Sequence, residues 1–289
     1  MAITLNDIKT IGVAGAGTMG LGIAQLSAQA GFATILYDIN EASLVKAKAK
    51  IEANFDGGIK RGKLTEADKS KALGLLTFTT DLNQLKIDLI IEAVLEKLDI
   101  KVDLFKKLIE LNDDDLLLAS NTSSIPITQI AAELPKPSQV VGMHFFNPAH
   151  IMKLVEVISA PATDKAIAEL IFKLAEKMTR KPVYVNDAPG FIVNRVARHF
   201  YLEGFKLLEE QVADIETIDA LMQNAGFRMG PFKLLDLIGI DTNYAVTCSM
   251  FESFKQEARF RPNRIQEQKV LAGEWGRKTG KGFYDYSES

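Results

Sequence analysis

The chain has 289 residues, 47% of them hydrophobic and 25% charged, with a formal net charge of -3. This is the composition of a globular protein, and it excludes a global positive field that would attract nucleic acid. The single cysteine, Cys248, excludes an intrachain disulfide framework and a cysteine-rich metal site, and no apolar run approaches the roughly 20 residues that span a bilayer. We therefore expect a cytoplasmic protein with no metal site and no membrane or nucleic-acid partner, because the first residues also lack a secretory signal pattern.

Short apolar runs alternate with helical patterns through the first two thirds of the chain. Residues 9–14 and 33–37 predict strands, and residues 18–30 predict a helix that ends at Gly31. Further strands are predicted at residues 75–79, 89–92, 116–119, 140–144, 153–157 and 183–185. Further helices are predicted at residues 41–54 (continuing weakly to 63), 65–73, 98–111, 127–134 and 164–178. Strands separated by helical crossovers indicate an α/β fold, a Rossmann-type doubly wound, mostly parallel sheet.

The pattern changes at two later points. Residues 153–157 follow the strand at 140–144 too closely for a helical crossover, so we predict an antiparallel strand at one edge of the sheet. From Pro189 onward the pattern is helical, with no convincing strand. The predicted helices there are residues 190–212, 215–225, 231–238, 241–254 and 263–272. The sequence therefore predicts two domains, a sheet domain at 1–187 and an all-helical domain at 188–289.

The stretch IGVAGAGTMG, residues 11–20, has three glycines spaced G-x-G-x-x-G after a predicted strand and at the start of a predicted helix. This context is what a dinucleotide-binding fingerprint requires, although a plain tight turn is the alternative. Gly15 would permit the turn, Gly17 would let a pyrophosphate approach the backbone, and Gly20 would let the helix pack closely. The predicted cofactor-binding residues of this stretch are Gly15, Gly17, Thr18, Met19 and Gly20.

Asp38 ends the second predicted strand, at about the twenty-residue distance that the fingerprint requires. A carboxylate there accepts hydrogen bonds from both ribose hydroxyls of the adenosine and repels a 2′-phosphate. We therefore predict NAD rather than NADP as the cofactor, since Tyr37 and Ile39 offer no guanidinium that would reverse the choice. Asp38 can alternatively cap the helix that begins at Glu41, and the two roles can coexist.

His144 is the best candidate for a catalytic base among the three histidines. It ends the predicted strand at 140–144, and open α/β sheets bind ligands at the carboxyl ends of their strands. Hydride removal from an alcohol leaves a hydroxyl proton, and an imidazole titrates in the range suited to take it. His150 follows a loop and His199 lies within a predicted helix. The alternative for His144 is a packed histidine bonded to the backbone.

Three other segments supply polar groups for the same site. Glu156 lies inside a predicted apolar strand. Antiparallel pairing of that strand would let Glu156 accept a hydrogen bond from His144 and fix the tautomer of the histidine. The alternative is an edge strand with Glu156 facing water. ASNTSS, residues 119–124, follows a strand directly and can hydrogen-bond a substrate oxygen, or else cap the next helix. Asn194 would face the cleft from the first helix of the second domain and is a better ligand than Arg195; it can alternatively be an exposed helix residue.

Seven segments, in family order and covering nearly the whole chain, resemble the 3-hydroxyacyl-CoA dehydrogenase family, particularly the bacterial 3-hydroxybutyryl-CoA dehydrogenases. They are GAGTMGLGIAQ, IIEAVLEKLDIK, ASNTSSIPIT, GMHFFNPAHIMKLVEVI, DAPGFIVNR, MGPFKLLDLIG and GRKTGKGFYDY. The segments GMHFFNP…MKLVEVI and APGFIVNR are far more specific than the glycine fingerprint. The resemblance implies an NAD-dependent oxidoreductase of short-chain (3S)-3-hydroxyacyl-CoA, of the kind used in fatty-acid and butanoate metabolism.

The resemblance also assigns roles by position. His144 matches the catalytic base and Glu156 its partner; Ser123 matches the serine that binds the reacting oxygen, and Asn194 the asparagine near it. The positions matching contacts at the nicotinamide end of the cofactor are Glu96 and Lys101. Asn147 matches another amide close to cofactor or substrate. The family's members are homodimers through the C-terminal helical domain, which is therefore expected to serve substrate binding and dimerisation.

CoA is anionic and requires local cations. The cations in the segment 46–63 are Lys46, Lys48, Lys50, Lys60, Arg61 and Lys63. The family holds CoA with a helix–turn–helix at this place, so we predict that Lys60 and Arg61 bind its phosphates. Gly57 and Gly58 leave the helical register open here, and for the first three lysines a solvated helix face is the alternative.

Two other functions stay open at this point. An NAD-dependent dehydrogenase of free 3-hydroxy acids would carry a catalytic lysine on the helix where this chain has Asn194. A non-enzymatic NAD-binding protein would show damage in the set formed by His144, Glu156 and Asn194, which is intact here.

Overall fold

The computed structural model describes residues 4–112 and 115–287. The chain forms two compact units, one up to Ala188 and one from Pro189 onward, a division one residue from the predicted one. Residues 1–3, 113–114 and 288–289, which the predicted domains include, lie outside the described residues. Within the described ranges, no helix combines the length and apolar character that a membrane crossing requires.

The first unit is built on one eight-stranded sheet. Its strands are β1 (Thr10–Ala14), β2 (Ala33–Tyr37), β3 (Leu76–Thr79), β4 (Leu89–Glu92), β5 (Leu117–Ser120), β6 (Val140–Phe145), β7 (Leu154–Ser159) and β8 (Lys181–Asn186). Its helices are α1 (Thr18–Gln29), α2 (Glu41–Lys60), α3 (Glu66–Leu73), α4 (Leu98–Leu111), α5 (Ile127–Ala132) and α6 (Lys165–Lys177). The strand order is β3-β2-β1-β4-β5-β6-β7-β8, and neighbours from β3 to β6 are parallel. The predicted Rossmann-type α/β fold class is thereby confirmed.

The far end of the sheet differs in one respect from the prediction. β7 pairs antiparallel with β6, as expected from the short connection between them. It is not an edge strand, however, because β8 pairs with it in parallel and takes the edge. The helix α6 supplies the crossover that parallel pairing of β7 and β8 requires. Both neighbours therefore cover β7, and its central residues are buried.

Helix α2 ends at Lys60, within the weak continuation from residue 54 to residue 63 that the sequence predicts. The two glycines in its last turns do not end it. A Cβ on Gly58 would lie 2.7 Å from Leu64 Cδ1, and one on Gly57 would lie 3.4 Å from a guanidinium nitrogen of Arg61. Gly58 therefore permits Leu64, in the turn that follows the helix, to pack closely against the helix backbone, whereas the contact at Gly57 is an ordinary one.

The second unit is all-helical, as predicted. Its helices are α7 (Val193–Glu209), α8 (Ile215–Asn224), α9 (Pro231–Ile238), α10 (Ile240–Ser253) and α11 (Arg264–Leu271). Its core contains Phe205, Phe232 and Leu235 at 0% exposure. The predicted start of α7 at residue 190 is wrong by three residues, because Gly190 and Phe191 have positive φ angles of 70° and 50° that no right-handed helix accommodates.

Candidate active site

The glycine loop between β1 and α1 shows three different reasons for having no side chain. Gly15 has φ +99°, and a Cβ there would lie 2.4 Å from the carbonyl oxygen of Ala93. A Cβ on Gly20 would lie 1.7 Å from the carbonyl oxygen of Gly15, so the helix rests directly on the turn. At Gly17 a Cβ would meet no described atom within 4 Å. A tight turn accounts for Gly15 and Gly20 but not for Gly17, which borders open space.

The N-terminus of α1 at this loop has the features of an anion site. Its N-cap is Gly17, no described side chain caps it, and its first turn has no acidic residue. The first-turn amides of a helix have no partner within the helix, and the helix dipole adds positive potential there. The loop therefore fits the pyrophosphate of a dinucleotide, which would be held by the amides around Thr18 and Met19.

Asp38 joins the end of β2 to the glycine loop. Its Oδ2 accepts from the amide of Ala16 at 2.7 Å, and its Oδ1 accepts from the amide of Asn40 at 2.9 Å. Asn40, not Asp38, caps α2, so the alternative role of Asp38 as that cap is wrong. A carboxylate oxygen has two lone pairs, and each oxygen of Asp38 keeps one for a further donor such as a ribose hydroxyl.

His144 lies in a row of three hydrogen-bonded side chains. In the antiparallel register of β6 and β7 it stands directly opposite Glu156, and its Nδ1 is 2.8 Å from Glu156 Oε2. On the other side its Nε2 is 3.1 Å from Ser123 Oγ. Glu156 is 0% exposed, so the alternative of a carboxylate in water is wrong. Because the carboxylate of Glu156 accepts a hydrogen bond, we assign the ring proton of His144 to Nδ1. The lone pair of Nε2 then faces Ser123.

This row of side chains can move a proton at Nε2 and bind an oxygen through the serine hydroxyl. The order serine, histidine, carboxylate also occurs in hydrolases that use the serine as nucleophile. In this sheet, however, β1, β5 and β6 are parallel, so the row lies at the same carboxyl edge as the glycine loop. The combination points to proton transfer beside a bound dinucleotide rather than to hydrolysis.

Glu96 holds the loop that carries Ser123. Its Oε1 accepts from Thr122 Oγ1 at 2.6 Å and from the amides of Ser123 at 2.8 Å and Ser124 at 3.0 Å. Burial favours a higher pKa for Glu96, but Lys101 and these donors together lower it. The alternative that this loop caps α5 is wrong, since Pro126 is the N-cap of α5 and the first-turn amides of Ile127 and Thr128 donate to the carboxylate of Asp187 instead.

Lys101 lies beneath the same loop, between two carboxylates. Its Nζ is 2.6 Å from Glu92 Oε1 and 3.1 Å from Glu96 Oε2, and the side chains of Lys101 and Glu92 are 1% and 0% exposed. Glu92 Oε2 also accepts from Ser120 Oγ at 2.6 Å. Burial raises the pKa of Glu92, and the ion pair and hydrogen bonds oppose that rise. Sequence reasoning missed Glu92; the available signal was a carboxylate ending the apolar strand LIIE.

Replacing Lys101 with Met is expected to destabilise the protein by about 3–5 kcal/mol, because it leaves the buried charge of Glu92 without its countercharge. Urea unfolding followed by circular dichroism measures the loss. The double variant Lys101→Met with Glu92→Gln is the control, since it removes both charges, and it should recover most of the stability. Equal instability of the single and double variants would contradict a charge-based effect.

A cationic groove lies beside the glycine loop. Arg61 lines it with Lys50, His150 and Asn147, whereas the predicted CoA-binding Lys60 does not line it. The pKa of His150 is lowered by its partial burial and by Lys50, Arg180 and Arg61. Lys46 and Lys48 are exposed, as a solvated helix face requires. The groove therefore concentrates positive charge where an anionic ligand would lie.

Asn194 is the second residue of α7 and belongs to the second unit. It is half-buried, so the alternative of a fully exposed helix residue does not hold. The side chains that the first unit brings together are thus Ser123, His144 and Glu156, with Glu96 and Lys101 supporting the loop beside them. His199 is exposed and its ring lies 5.3 Å from that of Phe260 in the second unit.

Two family models match consecutive parts of the chain. Residues 10–188 match the model of the 3-hydroxyacyl-CoA dehydrogenase NAD binding domain. Residues 190–286 match the model of the 3-hydroxyacyl-CoA dehydrogenase C-terminal domain. The resemblance found in the sequence motifs is thereby confirmed over nearly the whole chain.

Relatives with curated names and solved structures are similar over the same length. The 3-hydroxyadipyl-CoA dehydrogenase of Escherichia coli (strain K12) is 47% identical over 282 residues, which cover 97% of this chain and 59% of that protein. A 3-hydroxybutyryl-CoA dehydrogenase of Mycobacterium tuberculosis is 40% identical over 283 residues, 96% of this chain and 99% of that protein. A crystal structure of 3-hydroxybutyryl-CoA dehydrogenase from Escherichia coli K12 has a TM-score of 0.93 at 47% identity, covering 98% of this chain and 60% of that chain. This chain therefore spans about three fifths of these two Escherichia coli relatives and almost all of the mycobacterial one.

Proposed function

This chain belongs to the NAD-dependent 3-hydroxyacyl-CoA dehydrogenase family, and on that basis we propose that it interconverts short-chain (3S)-3-hydroxyacyl-CoA and 3-oxoacyl-CoA thioesters. The relatives' names give two substrates, 3-hydroxybutyryl-CoA and 3-hydroxyadipyl-CoA. The observation that carries the proposal is the row formed by Ser123, His144 and Glu156 at the sheet edge that holds the glycine loop.

His144 acts as the acid and base in this proposal. Its Nε2 takes the proton of the C3 hydroxyl during oxidation and returns it during reduction. Ser123 Oγ, 3.1 Å from Nε2, hydrogen-bonds the same oxygen and holds it in line with the imidazole. Glu156 keeps Nδ1 protonated and stabilises the imidazolium that forms when Nε2 takes the proton. Asn194 orients the substrate from α7.

NAD, when bound, supplies the acceptor for the hydride that leaves C3. The residues proposed to hold it are the amides of the glycine loop for the pyrophosphate and Asp38 for the ribose hydroxyls. Glu96 and Asn147 are proposed to lie at its nicotinamide end, by their match to the family. Lys101 is proposed to act there through Glu96, because its ammonium is enclosed between two carboxylates.

The CoA part of the substrate is proposed to lie in the cationic groove. Arg61 and Lys50 line that groove and would face its phosphates, while Lys60 would contribute only from the adjacent surface. A cytoplasmic location and a role in fatty-acid or butanoate metabolism fit such a substrate, and both stay proposals.

A homodimer through the second unit is also proposed. Large apolar side chains that are exposed on this unit support it, because exposed apolar surface marks interaction sites in many proteins. They are Leu221, Phe227, Leu237, Ile238 and Leu271. Sedimentation of the purified protein measures the oligomeric state directly.

Oxidation of NADH with acetoacetyl-CoA is the reaction that tests the proposal. We expect turnover with acetoacetyl-CoA, little or none with free acetoacetate, and at least about tenfold lower kcat/KM with NADPH, because Asp38 repels the 2′-phosphate. The variant Asp38→Asn should reduce the difference in kcat/KM between NADH and NADPH. Equal use of free acetoacetate would favour a dehydrogenase of free hydroxy acids. NADH binding without turnover of any 3-oxoacyl-CoA would favour a non-enzymatic protein.

A further inference from the structure

Arg198 in the second unit is a buried cation without a countercharge. It is 1% exposed, and no aspartate or glutamate among the described residues pairs with it. Burial lowers the pKa of its guanidinium to about 10. A buried charge is costly unless an opposite charge or several hydrogen bonds compensate it. The burial of this guanidinium therefore requires an explanation.

The hydrogen bonds of Arg198 to described residues all come from Nη1 and leave its Nε without a partner among those residues. Nη1 donates to Asn243 O at 3.0 Å, to Asn243 Oδ1 at 2.7 Å and to Thr247 Oγ1 at 2.7 Å. Gln266 Nε2 donates to the same Asn243 Oδ1 at 3.0 Å and so fixes the amide. The buried Nε, by contrast, has no partner among the described residues. Nε and Nη2 form the edge of a guanidinium that grips a carboxylate with two parallel hydrogen bonds.

Arg198 lies on the same face of α7 as Asn194. The two are four residues apart, which places them on one side of a helix and about 6 Å apart along its axis. In the proposed function Asn194 orients the reacting end of the acyl group. A group that lies a few bonds beyond the end that Asn194 orients, and that extends along α7, would reach the level of Arg198 on this helix.

From these observations we propose that Arg198 is a specificity residue that binds a carboxylate at the distal end of the acyl chain, so that the substrate is a dicarboxylic acyl-CoA. This inference rests on the proposed function, because it takes the C3 chemistry and the role of Asn194 from it. In a six-carbon acyl chain, three bonds separate C3 from the terminal carboxyl carbon. The carboxylate supplies the missing countercharge, and Asn243 and Thr247 hold the guanidinium in place before it arrives.

The test compares two 3-oxoacyl-CoA substrates of equal chain length, 3-oxoadipyl-CoA with a terminal carboxylate and 3-oxohexanoyl-CoA without one. The unmodified enzyme is expected to show a kcat/KM ratio that favours 3-oxoadipyl-CoA by about 10- to 100-fold, the range of a hydrogen-bonded ion pair. In Arg198→Met that ratio should fall to near one. Arg198→Lys, which keeps the charge but not the two-pronged edge, should give an intermediate ratio.

The control is Arg259→Met, an exposed arginine of the same unit that pairs with Glu257, and its ratio should equal that of the unmodified enzyme. A purely structural Arg198 would lower kcat/KM for both substrates together and leave the ratio unchanged, which would overturn the inference. If Arg198→Met does not fold, the kcat/KM ratios of the unmodified enzyme and of Arg198→Lys test the inference. A ratio near one in the unmodified enzyme also overturns the inference. If the enzyme turns over 3-oxohexanoyl-CoA and 3-oxoadipyl-CoA equally well, only this inference is contradicted. If it turns over no 3-oxoacyl-CoA, the proposed function itself is contradicted.

Discussion

Replacing His144 with Gln is expected to lower kcat with acetoacetyl-CoA by at least about 100-fold, because a positioned acid or base contributes 100- to 10,000-fold. Glutamine approximates the size of the ring and keeps a polar group at its position, but it cannot accept and return a proton at neutral pH. Binding of NADH, measured by its fluorescence, should change little, since the glycine loop and Asp38 follow β1 and β2 and do not belong to β6, which carries His144. Steady-state assays and this titration together separate catalysis from cofactor binding.

The matched control for this variant is His199→Gln, which changes an exposed histidine of the second unit. It should retain kcat within about twofold, the range expected of a surface substitution. Full activity of His144→Gln would reject His144 as the base. A loss of NADH binding that matches the loss of kcat would instead assign His144 a structural role.

Replacing Glu156 with Gln is expected to lower kcat by more than tenfold. Loss of an orienting partner costs about 10- to 100-fold at metal-bound histidines and about 10,000-fold in a serine protease triad. The amide has nearly the size of the carboxylate, so the packing around this 0% exposed position is kept. It cannot, however, stabilise an imidazolium, and it allows either tautomer of His144.

The double variant His144→Gln with Glu156→Gln distinguishes a shared role from two separate ones. If Glu156 acts through His144, the double variant should be no slower than His144→Gln alone, because residues that act as a unit are non-additive. If the loss of kcat in the double variant equals the product of the losses in the two single variants, this coupling is contradicted. Glu169→Gln is the control, since that carboxylate is exposed on α6 and, among the residues that the structure describes, its ion pair is with its helical neighbour Lys173.

Local patterns in the sequence determined the order of elements and the fold class. Hydrophobic periodicity and glycine positions depend on neighbours a few residues away, so β2, β4, α4 and α9 have the bounds predicted from them. The glycine loop and Asp38 were recognisable for the same reason, because the turn and the following helix are contiguous in the chain. His144 could be selected because it ends a strand whose direction the crossover connections fixed.

Only the tertiary structure decided which of these side chains meet. The contact between His144 and Glu156 depends on the register of β6 against β7, and a shift by one residue would turn Glu156 to the other face of the sheet. The pairing of Lys101 with Glu92, and the bonds of Glu96 to the loop at Ser123, likewise join residues from different elements.

The second unit gives further examples of contacts that sequence spacing does not encode. The start of α7 is set by the positive φ angles of Gly190 and Phe191 rather than by its helical pattern. The C-terminal tail is held by Asp236, which accepts from the amides of Phe283 and Tyr284, about fifty residues away in the chain. The sequence by itself thus determined the elements and the chemical groups available to them. Packing and strand register decided their partners, because those depend on distances between segments that the linear order leaves free.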